Sequence, residues 1–363
     1  MVPFAIVPIV LKTFYDTKLA LFIHIIIIVL IGFWAPNSFE FVFLNIAVGS
    51  VALLSLTNLY RRNKMFVTAA WIMFTYFALY AGLSLYQEGS LKNFKNDNLL
   101  YFTVNGFLIL SSIPLIYIFE KIFGFLSDAT LLEISDSNQP LLRKLAEFAP
   151  GTFQHSLQVA NLAEEAIFKI GGNPLLVRAG ALYHDIGKME NPMYFIENLS
   201  DEINPHENLS FEKSIEIIVG HVTKGVEMAK KNRLPEPIID FIRTHHGTST
   251  VHYFYRSYIK KFPGSDIDVN RFSYPGPKPS TKELAVVMMA DSFEAASRSL
   301  KHYSEKDLNT LIESIISGQL KEGQFNEANI TLRDIETVKT TFKKKLRNIY
   351  HIRIEYPKAV LKE

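Results

Sequence analysis

Four long apolar stretches occupy the first third of the chain, with few charged positions between them. They cover residues 19–34, 39–59, 65–86 and 99–125, and a shorter apolar run covers residues 2–11. A helix needs about 20 apolar residues to cross the hydrocarbon core of a bilayer. The pattern therefore predicts a transmembrane region over 1–125, with four full spans and a partial one. The shortest stretch contains His24.

The polar positions that follow predict a helical stalk and then a helical domain. Residues 126–148 turn polar gradually, so the stalk is expected to continue the last span and to break near Asn138-Gln139-Pro140. Helical periodicity then covers 149–363, except for an aromatic-rich segment, 247–279, that is predicted to be irregular. Helix starts are predicted at Thr152, at Asn173 before Pro174, and at the capping box Ser280-Thr281-Lys282-Glu283. The predicted fold class is all-α.

Composition separates the same two parts and limits the chemistry. Residues 1–125 carry 13 charged side chains, whereas the remaining 238 residues carry 61. The net charge of +2 gives no basis for binding a nucleic-acid polymer. The chain has no cysteine, which excludes disulfides, thiolate nucleophiles and cysteine-ligated metals. Any metal must therefore be held by nitrogen and oxygen ligands.

Basic residues in the short loops predict the orientation in the membrane. One side carries Lys12, Lys18, Arg61, Arg62 and Lys64, and the opposite loops carry only Lys92 and Lys95. Because positive loops favour the cytoplasmic side, the C-terminal domain is predicted to be cytoplasmic. Met1 would then lie near the outer face, which predicts that the natural chain begins further upstream.

Five histidines and two aspartates form a pattern that suits a pair of metal ions. The candidate ligands are His155, His184, Asp185, His221, His245, His246 and Asp291. Neutral imidazole and carboxylate suit divalent Fe, Mn, Ni or Zn. An adjacent His-Asp pair can direct its side chains at two metals, and two metals about 3.5–4 Å apart can activate a water for in-line attack on a phosphodiester. A lone histidine such as His155 would by itself more often be a core residue, so the prediction depends on the set.

The chain resembles the HD-domain metal phosphohydrolases, and more closely the PgpH-type seven-transmembrane HD proteins that degrade cyclic di-AMP. The motifs that carry the resemblance are Pro150-Gly151-Thr152, His184-Asp185-Ile186-Gly187-Lys188, His245-His246-Gly247-Thr248, Tyr274-Pro275-Gly276-Pro277-Lys278-Pro279, Ala290-Asp291-Ser292, Glu294-Ala295-Ala296-Ser297-Arg298 and the tail 351–357. Full members have seven spans and a large extracellular domain after the first, and this sequence shows neither. Signal reception is therefore not implied for this chain.

The resemblance implies a ligand set and a cofactor. One metal would be held by His155, His184, Asp185 and Asp291. Asp185 would bridge to a second metal, which His221, His245 and His246 would complete. Members of the family typically use iron or manganese, so two ions of Fe or Mn are expected.

The implied function is a phosphodiesterase of the bacterial inner membrane, with its HD domain in the cytoplasm, that hydrolyses cyclic di-AMP to linear pApA. Asp185 and Lys188 are the expected catalytic residues. Lys188 and Arg298 are candidate phosphate contacts; the alternatives are a solvent-facing cation for Lys188 and a structural salt bridge for Arg298. Tyr274 and Gly276 are expected to shape the substrate pocket.

Three other functions compete with this one. A cyclic di-GMP phosphodiesterase would carry Gly-Tyr-Pro soon after its His-His pair, and here Thr248-Ser249-Thr250 follows His-His-Gly. A membrane sensor that only binds nucleotide would have lost metal ligands, and all are present. A transporter is disfavoured because His24 is the only ionisable residue well inside a span. The expected partners are a cyclic dinucleotide and the lipid bilayer, and a homodimer is left open.

Overall fold

The computed structural model describes residues 2–56, 62–89, 96–199, 204–264, 268–300 and 304–350. Within these ranges every regular element is a helix, apart from an isolated β-bridge between Thr250 and Ser273. The all-α prediction is confirmed. The chain divides into two compact units, Met1–Glu133 and Ile134–Glu363. The finer predicted boundaries at residues 125 and 148 stay a prediction.

Apolar helices make up the described part of the N-terminal unit. They are α1 (Ile6–Phe14), α2 (Thr17–Gly32), α3 (Ser38–Ser55), α4 (Arg62–Glu88), α5 (Asn96–Leu108) and α6 (Ser112–Phe123). Three segments are long and apolar enough to cross a membrane: Ser38–Ser55, Lys64–Gln87 and Asp97–Phe123. The last of these joins α5 and α6 through a 3₁₀ turn, Ile109–Ser111. The remaining predicted span, which is the first along the chain, corresponds to Thr17–Gly32. This helix has 16 residues and is shorter than the other three segments.

Several polar residues inside this unit are paired across helices. His24 is fully buried, and its Nε2 donates to the backbone carbonyl of Asn45 at 2.9 Å. The Asn45 side chain accepts from the Tyr76 hydroxyl at 2.9 Å and donates to the Phe41 carbonyl at 2.8 Å. Gly49 makes room for the imidazole, because a Cβ there would lie 2.0 Å from His24 Nε2. His24 thus joins α2 to α3.

The segment after the last span is helical in parts, but its first helix does not directly continue that span. Helix α6 ends at Gly124, whose φ of 68° places it in the left-handed region that glycine adopts without strain. A short helix, α7 (Asp128–Ile134), follows. The predicted break near residues 138–140 is confirmed, because Gln139 precedes a new helix with Pro140 in its first turn.

Nine further helices form the described part of the C-terminal unit. They are α8 (Pro140–Phe148), α9 (Pro150–Lys169), α10 (Pro174–Tyr183), α11 (Phe211–Lys231), α12 (Glu236–Thr244), α13 (His252–Lys261), α14 (Lys282–Ser297), α15 (Glu305–Lys321) and α16 (Leu332–Tyr350). The core is formed by buried apolar residues of α9, α10, α12 and α14.

Local capping chemistry sets where these helices begin, though not always at the predicted residue. Asn173 caps α10 as predicted and accepts from the Leu176 amide at 3.0 Å. Thr152 is not a cap: α9 begins two residues earlier at Pro150, and Thr152 is buried within its first turn. At α14 the cap is Thr281 and not Ser280, and Glu283 accepts from the backbone of Asn173 instead of closing a capping box.

The segment 247–279 is less irregular than predicted, because it contains α13 and a 3₁₀ turn, Val269–Phe272. Its aromatic side chains bury against α11, where Phe254, Phe272 and Ile215 form a small core. That burial orders the segment. Several residues used for the predictions lie outside the described part of the chain: Arg61, Lys92, Lys95 and the tail 351–357. The predicted orientation in the membrane therefore stays a prediction.

A close backbone contact holds α11 against the segment that follows α10. Gly187 lies in a 3₁₀ turn, Ile186–Glu190, and a Cβ at this position would be 1.9 Å from the carbonyl oxygen of His221. A side chain cannot be accommodated there unless the backbone shifts. The contact sets the distance between Asp185, two residues before Gly187, and His221.

Replacing Gly187 by alanine is expected to lower the free energy of unfolding by about 1–3 kcal/mol, because the added methyl group overpacks a backbone contact. Gly220→Ala is the matched control, since a Cβ at Gly220 in α11 meets nothing within 4 Å. Alanine there should leave stability unchanged or raise it by up to about 1 kcal/mol. The measurement is the unfolding transition of the full chain in detergent, and equal losses in the two variants would contradict the contact.

Candidate metal centre

Five elements of the C-terminal unit bring the seven predicted ligands together. His155 lies on α9, His221 on α11 and Asp291 on α14, while His184 with Asp185 and His245 with His246 directly follow α10 and α12. Six of the seven are buried, and His246 is half-buried. The structure thus places all seven predicted residues at one centre, including pairs that are more than 130 residues apart in sequence.

The ligand atoms form two groups that share Asp185. In one group, Asp185 Oδ2 is 3.3 Å from His184 Nε2 and 3.7 Å from His155 Nε2. Asp291 Oδ1 completes this group, at 2.8 Å from His155 Nε2 and 3.5 Å from His184 Nε2. In the other group, Asp185 Oδ1 is 3.2 Å from His221 Nε2 and 3.5 Å from His245 Nε2. The two oxygens of one carboxylate therefore face two different sets of imidazoles.

His246 completes the second group of ligand atoms, which all lie within 4.8 Å of one another. Its Nδ1 is also 3.7 Å from Asp291 Oδ2. Its ring stacks on Tyr274, with centroids 4.2 Å apart and an angle of 26° between the planes. Tyr274 therefore packs directly on the centre, at its partly exposed side.

Backbone carbonyls fix the orientation of three of the histidines. The Nδ1 atoms of His184, His221 and His245 donate to the carbonyls of Ala181, Ile218 and Ile242 at 2.7, 2.5 and 2.9 Å. A proton held on Nδ1 leaves Nε2 free to act as a ligand, as is usual in metal sites. All three Nε2 atoms face Asp185.

Glu294 orients the fourth imidazole and is a residue that the sequence prediction missed. Its carboxylate accepts a hydrogen bond from His155 Nδ1. Arg298 holds that carboxylate from the other side, with Nε–Oε2 at 3.1 Å and Nη2–Oε1 at 2.8 Å. Glu294 follows Asp291 by three residues, and this helical spacing was the available signal. Arg298 therefore forms a structural salt bridge with Glu294, which was the alternative prediction for this residue. Contact between Arg298 and a phosphate stays a prediction.

Lys188 lies between two carboxylates beside the centre. Its Nζ is 2.6 Å from Asp185 Oδ2 and 2.8 Å from Glu197 Oε1, and its side chain is only 12% exposed. The solvent-facing alternative for Lys188 is therefore wrong. Glu197, also missed by sequence analysis, accepts from the Thr152 hydroxyl at 3.0 Å. It lies in a segment without periodicity, so no spacing rule indicated it.

Gly276 shapes the backbone beside the centre. Its φ of 84° is in the left-handed region, and a Cβ there would lie 3.2 Å from the Thr248 side chain. Tyr274, two residues earlier, is the residue of this segment that touches the histidines. Contact of Tyr274 or Gly276 with a substrate stays a prediction.

The pKa values describe a centre that attracts positive charge. Burial lowers the pKa of His184, but the negative charges of Asp185 and Asp291 outweigh burial and raise it to about 10. Burial raises the pKa of Asp185, yet Lys188 and His184 hold it well below its ordinary range. Burial and neighbouring imidazoles lower the pKa of His246. Both carboxylates facing the centre, Asp185 and Asp291, are therefore ionised, and a metal ion would replace the proton on His184.

Several buried atoms at the centre lack a hydrogen-bonding partner within the described structure. They are His184 Nε2 and both Asp185 oxygens, although Lys188 forms an ion pair with Oδ2. Burying such groups without a partner costs about 2–7 kcal/mol each. Imidazole nitrogens already turned inward and ionised carboxylates match the ligands of divalent transition metals. The centre is thus a divalent metal site.

Comparison with known proteins agrees with this geometry. Residues 1–127 match the family described as "7TM receptor with intracellular HD hydrolase", and residues 152–296 match the HD domain family. The HD domain of Listeria monocytogenes phosphodiesterase PgpH, crystallised in complex with cyclic-di-AMP, is 44% identical with a TM-score of 0.57. The match covers 59% of this chain and 100% of that one. This chain belongs to the PgpH family of HD-domain membrane proteins.

Two curated PgpH proteins extend the similarity into the membrane unit. The cyclic-di-AMP phosphodiesterase PgpH of Bacillus subtilis is 41% identical over 306 residues, which is 83% of this chain and 42% of the relative. The PgpH of L. monocytogenes is 43% identical over 258 residues, 71% of this chain and 36% of the relative. The chain thus spans less than half the length of these relatives. Together with the three apolar helices, the PgpH match identifies a membrane protein.

Replacing Glu294 by glutamine is expected to weaken metal binding by about 10–100-fold, because the carboxylate that orients a ligating histidine supports its affinity. Glutamine keeps the size of the side chain, so unfolding should change little. The measurement is metal affinity by competition with a chelator. Glu313→Gln is the matched control, since Glu313 pairs with Lys339 and contacts none of the seven ligands. Equal affinities for the two variants would contradict the positioning role.

Proposed function

We propose that this protein is a membrane-anchored, metal-dependent phosphodiesterase that hydrolyses cyclic di-AMP to linear pApA. The observation that carries the proposal is the position of Asp185, whose two oxygens face separate sets of ligands. That arrangement suits two metal ions with one carboxylate between them, which is the arrangement used for in-line displacement at phosphorus. The similarity to PgpH supports cyclic di-AMP as the substrate.

The charges around the centre support an anionic substrate once metals are bound. Four carboxylates belong to the centre and its surroundings: Asp185, Asp291, Glu197 and Glu294. Among the described residues that contact these carboxylates, the cations are Lys188 and Arg298, so the charge is two negative units when the histidines are neutral, as metal ligands are. Two divalent ions bound to neutral histidines would leave two positive units. The loaded centre would then attract a phosphodiester.

The proposed metals are iron or manganese. His155, His184, Asp185 and Asp291 would hold one ion, and Asp185, His221, His245 and His246 the other. Mixed imidazole and carboxylate ligands suit both elements, and the chain has no thiolate to favour softer metals. When bound, the ions would activate a water and neutralise charge on the phosphate.

The reaction adds one water across one P–O3′ bond of the cyclic dinucleotide. The water oxygen bonds to phosphorus, the P–O3′ bond breaks, and a proton is taken up by the departing 3′-oxygen. Lys188 would donate to a phosphate oxygen, and the position of its Nζ beside the carboxylate that faces both ligand sets supports this role. Glu197 would keep this ammonium charged and in position. Tyr274 would form part of the pocket wall next to His246.

The proposed location is the bacterial inner membrane, with several helices spanning it and the HD domain in the cytoplasm. Support comes from the apolar segments and from the basic residues Lys12, Lys18 and Lys64 on one predicted side. The partners are the cyclic dinucleotide and the lipid bilayer.

The test is hydrolysis of cyclic di-AMP and cyclic di-GMP by the full chain in detergent, supplied with Mn²⁺ or Fe²⁺. We expect preferential cleavage of cyclic di-AMP to pApA, and loss of both activity and bound metal in Asp185→Ala. Asp240→Ala is the control, because Asp240 is a half-buried carboxylate that pairs with Arg243 on α12 and is not among the seven candidate ligands. Cleavage of cyclic di-GMP alone, or an Asp185→Ala variant with full metal content and full rate, would overturn the proposal.

Removing the Lys188 charge should slow hydrolysis by about 10²-fold or more while both metals stay bound, because an electrostatic contact to the phosphate would be lost. The variant Lys188→Met should be combined with Glu197→Gln, so that Glu197 is not left buried as an unpaired carboxylate, and Glu197→Gln alone is measured beside it. Turnover and metal content are measured on the same samples. Lys213→Met, which removes an exposed lysine, serves as the control. An unchanged rate would rule out a role for Lys188 in the reaction.

A further inference from the structure

His246 is the most exposed of the seven candidate ligands, with 22% of its side chain accessible to solvent. The other four imidazoles are each oriented by a hydrogen bond at Nδ1, to a backbone carbonyl or to Glu294. The His246 ring instead stacks on Tyr274, and its Nδ1 faces Asp291. The position of this ligand therefore depends on its own backbone and on that of Tyr274.

The chain makes a tight turn directly after His246. The Gly247 amide donates to the Thr244 carbonyl at 2.9 Å, and the Ser249 amide donates to the His246 carbonyl at 3.0 Å. The Ser249 carbonyl in turn accepts from the Tyr274 amide at 3.0 Å. One turn thus connects the backbones of the two residues whose rings stack.

The amide at the middle of this turn is bound by a side chain from a distant part of the chain. Gln324 is 1% exposed, and its Oε1 accepts from the Thr248 amide at 3.1 Å. Its amide nitrogen donates to Glu322 Oε2 at 3.2 Å. A carboxylate can only accept, so the oxygen of the Gln324 amide is the end that faces the turn. A Cβ at Gly247 would lie 2.4 Å from this oxygen, so Gln324 packs closely on the turn.

The end of α15 directs Gln324 to this position. The Gly323 amide donates to the Leu320 carbonyl and the Gln324 amide to the Gln319 carbonyl, both at 3.0 Å. These two bonds form a Schellman motif, which ends the helix and fixes the direction in which the chain leaves it. The match to the HD domain family ends at residue 296, so this element lies beyond it.

Lys278 connects the segment that carries Tyr274 to the same element. Its Nζ donates to the Gly323 carbonyl at 2.9 Å. Lys278 belongs to the motif 274–279, which sequence analysis singled out. Gly323 and Gln324 therefore hold both the tyrosine segment and the turn after His246.

We propose that Gln324 is a positioning residue for the metal ion that His221, His245 and His246 would hold. It fixes the turn after His246 and so keeps this imidazole at the centre. A ligand on a turn that is already ordered binds without the entropic cost of ordering that turn. The inference rests on the two-metal centre of the proposed function, and its test measures bound metal without substrate.

The test is a titration of the metal-free full chain in detergent with Mn²⁺, in competition with a chelator, which gives the number of bound ions and the affinity of each. We expect two ions in the parent chain. Gln324→Leu should weaken one of them by about 10–100-fold, the usual effect of losing an outer partner of a ligand. The other ion should keep its affinity, because His155, His184 and Asp291 do not lie on the turn. A general loosening of the fold would weaken both ions.

Asn329→Leu is the matched control, because it removes a bond of the same kind elsewhere. Asn329 Oδ1 accepts from the backbone amide of Lys282 at 3.0 Å, 47 residues away and at the start of α14. Both ions should keep their affinity in this variant. His246→Ala should leave one tightly bound ion, as Gln324→Leu does, because it removes the ligand itself.

The unfolding transition shows which variants are folded. Gln324→Asn, whose shorter side chain withdraws the oxygen from the Thr248 amide, takes the place of Gln324→Leu if the leucine variant does not fold. Unchanged affinity of both ions in the folded variant, or equal weakening of both, would overturn the inference while the two-metal centre stands. A parent chain that binds fewer than two ions would contradict the two-metal centre itself, and the inference with it.

Discussion

The C-terminal unit is organised around one buried carboxylate, that of Asp185. Each of its oxygens faces a different set of imidazoles, so the helices that carry those imidazoles must approach it from different directions. An ionised carboxylate in the interior is costly unless positive charge or ligands surround it. The end of α10, the close contact at Gly187 and the position of α11 all follow from meeting this requirement.

A surrounding layer of ion pairs keeps the centre in place. Glu294 orients His155 and is itself held by Arg298, while Glu197 and Asp185 share Lys188. In this way charges next to the ligands are paired, whereas the atoms that face inward are left for metal. Although burial raises the pKa of both aspartates, Lys188 and His184 keep Asp185 ionised, and His155 and His184 keep Asp291 ionised. The layer gives the centre rigidity without filling its coordination positions.

Buried polar groups are also paired in the membrane unit. Its buried polar groups connect helices in pairs, as His24 and Tyr76 do through Asn45. Burying a polar residue in an apolar environment is unfavourable in free energy. Hydrogen bonds between helices offset this cost and fix which helices are in contact. Two buried atoms of this unit, His24 Nδ1 and Asn105 Oδ1, have no partner among the described residues.

Properties that depend on neighbours along the chain could be predicted from the sequence. The all-α class followed from periodicity, and the start of α10 followed from Asn173-Pro174, because a cap acts on amides three residues away. The His184-Asp185 pair could be recognised because histidine next to aspartate in an apolar context is unusual, and the other candidate ligands were recognised as parts of one set. The convergence of all seven residues at one centre depends on helices that meet only after folding.

Only the tertiary structure decided which groups support the ligands. Glu294 accepts a hydrogen bond from His155, which lies 139 residues away in the sequence. The Thr152 hydroxyl does not cap its own helix but donates to Glu197, 45 residues away. The segment 247–279 became partly helical because its aromatic side chains bury against α11, a partner that local pattern does not specify. Side-chain chemistry and local hydrogen bonding depend on residues that are neighbours in the sequence. Distances between buried charges are set by packing, and packing joins residues that the sequence keeps far apart.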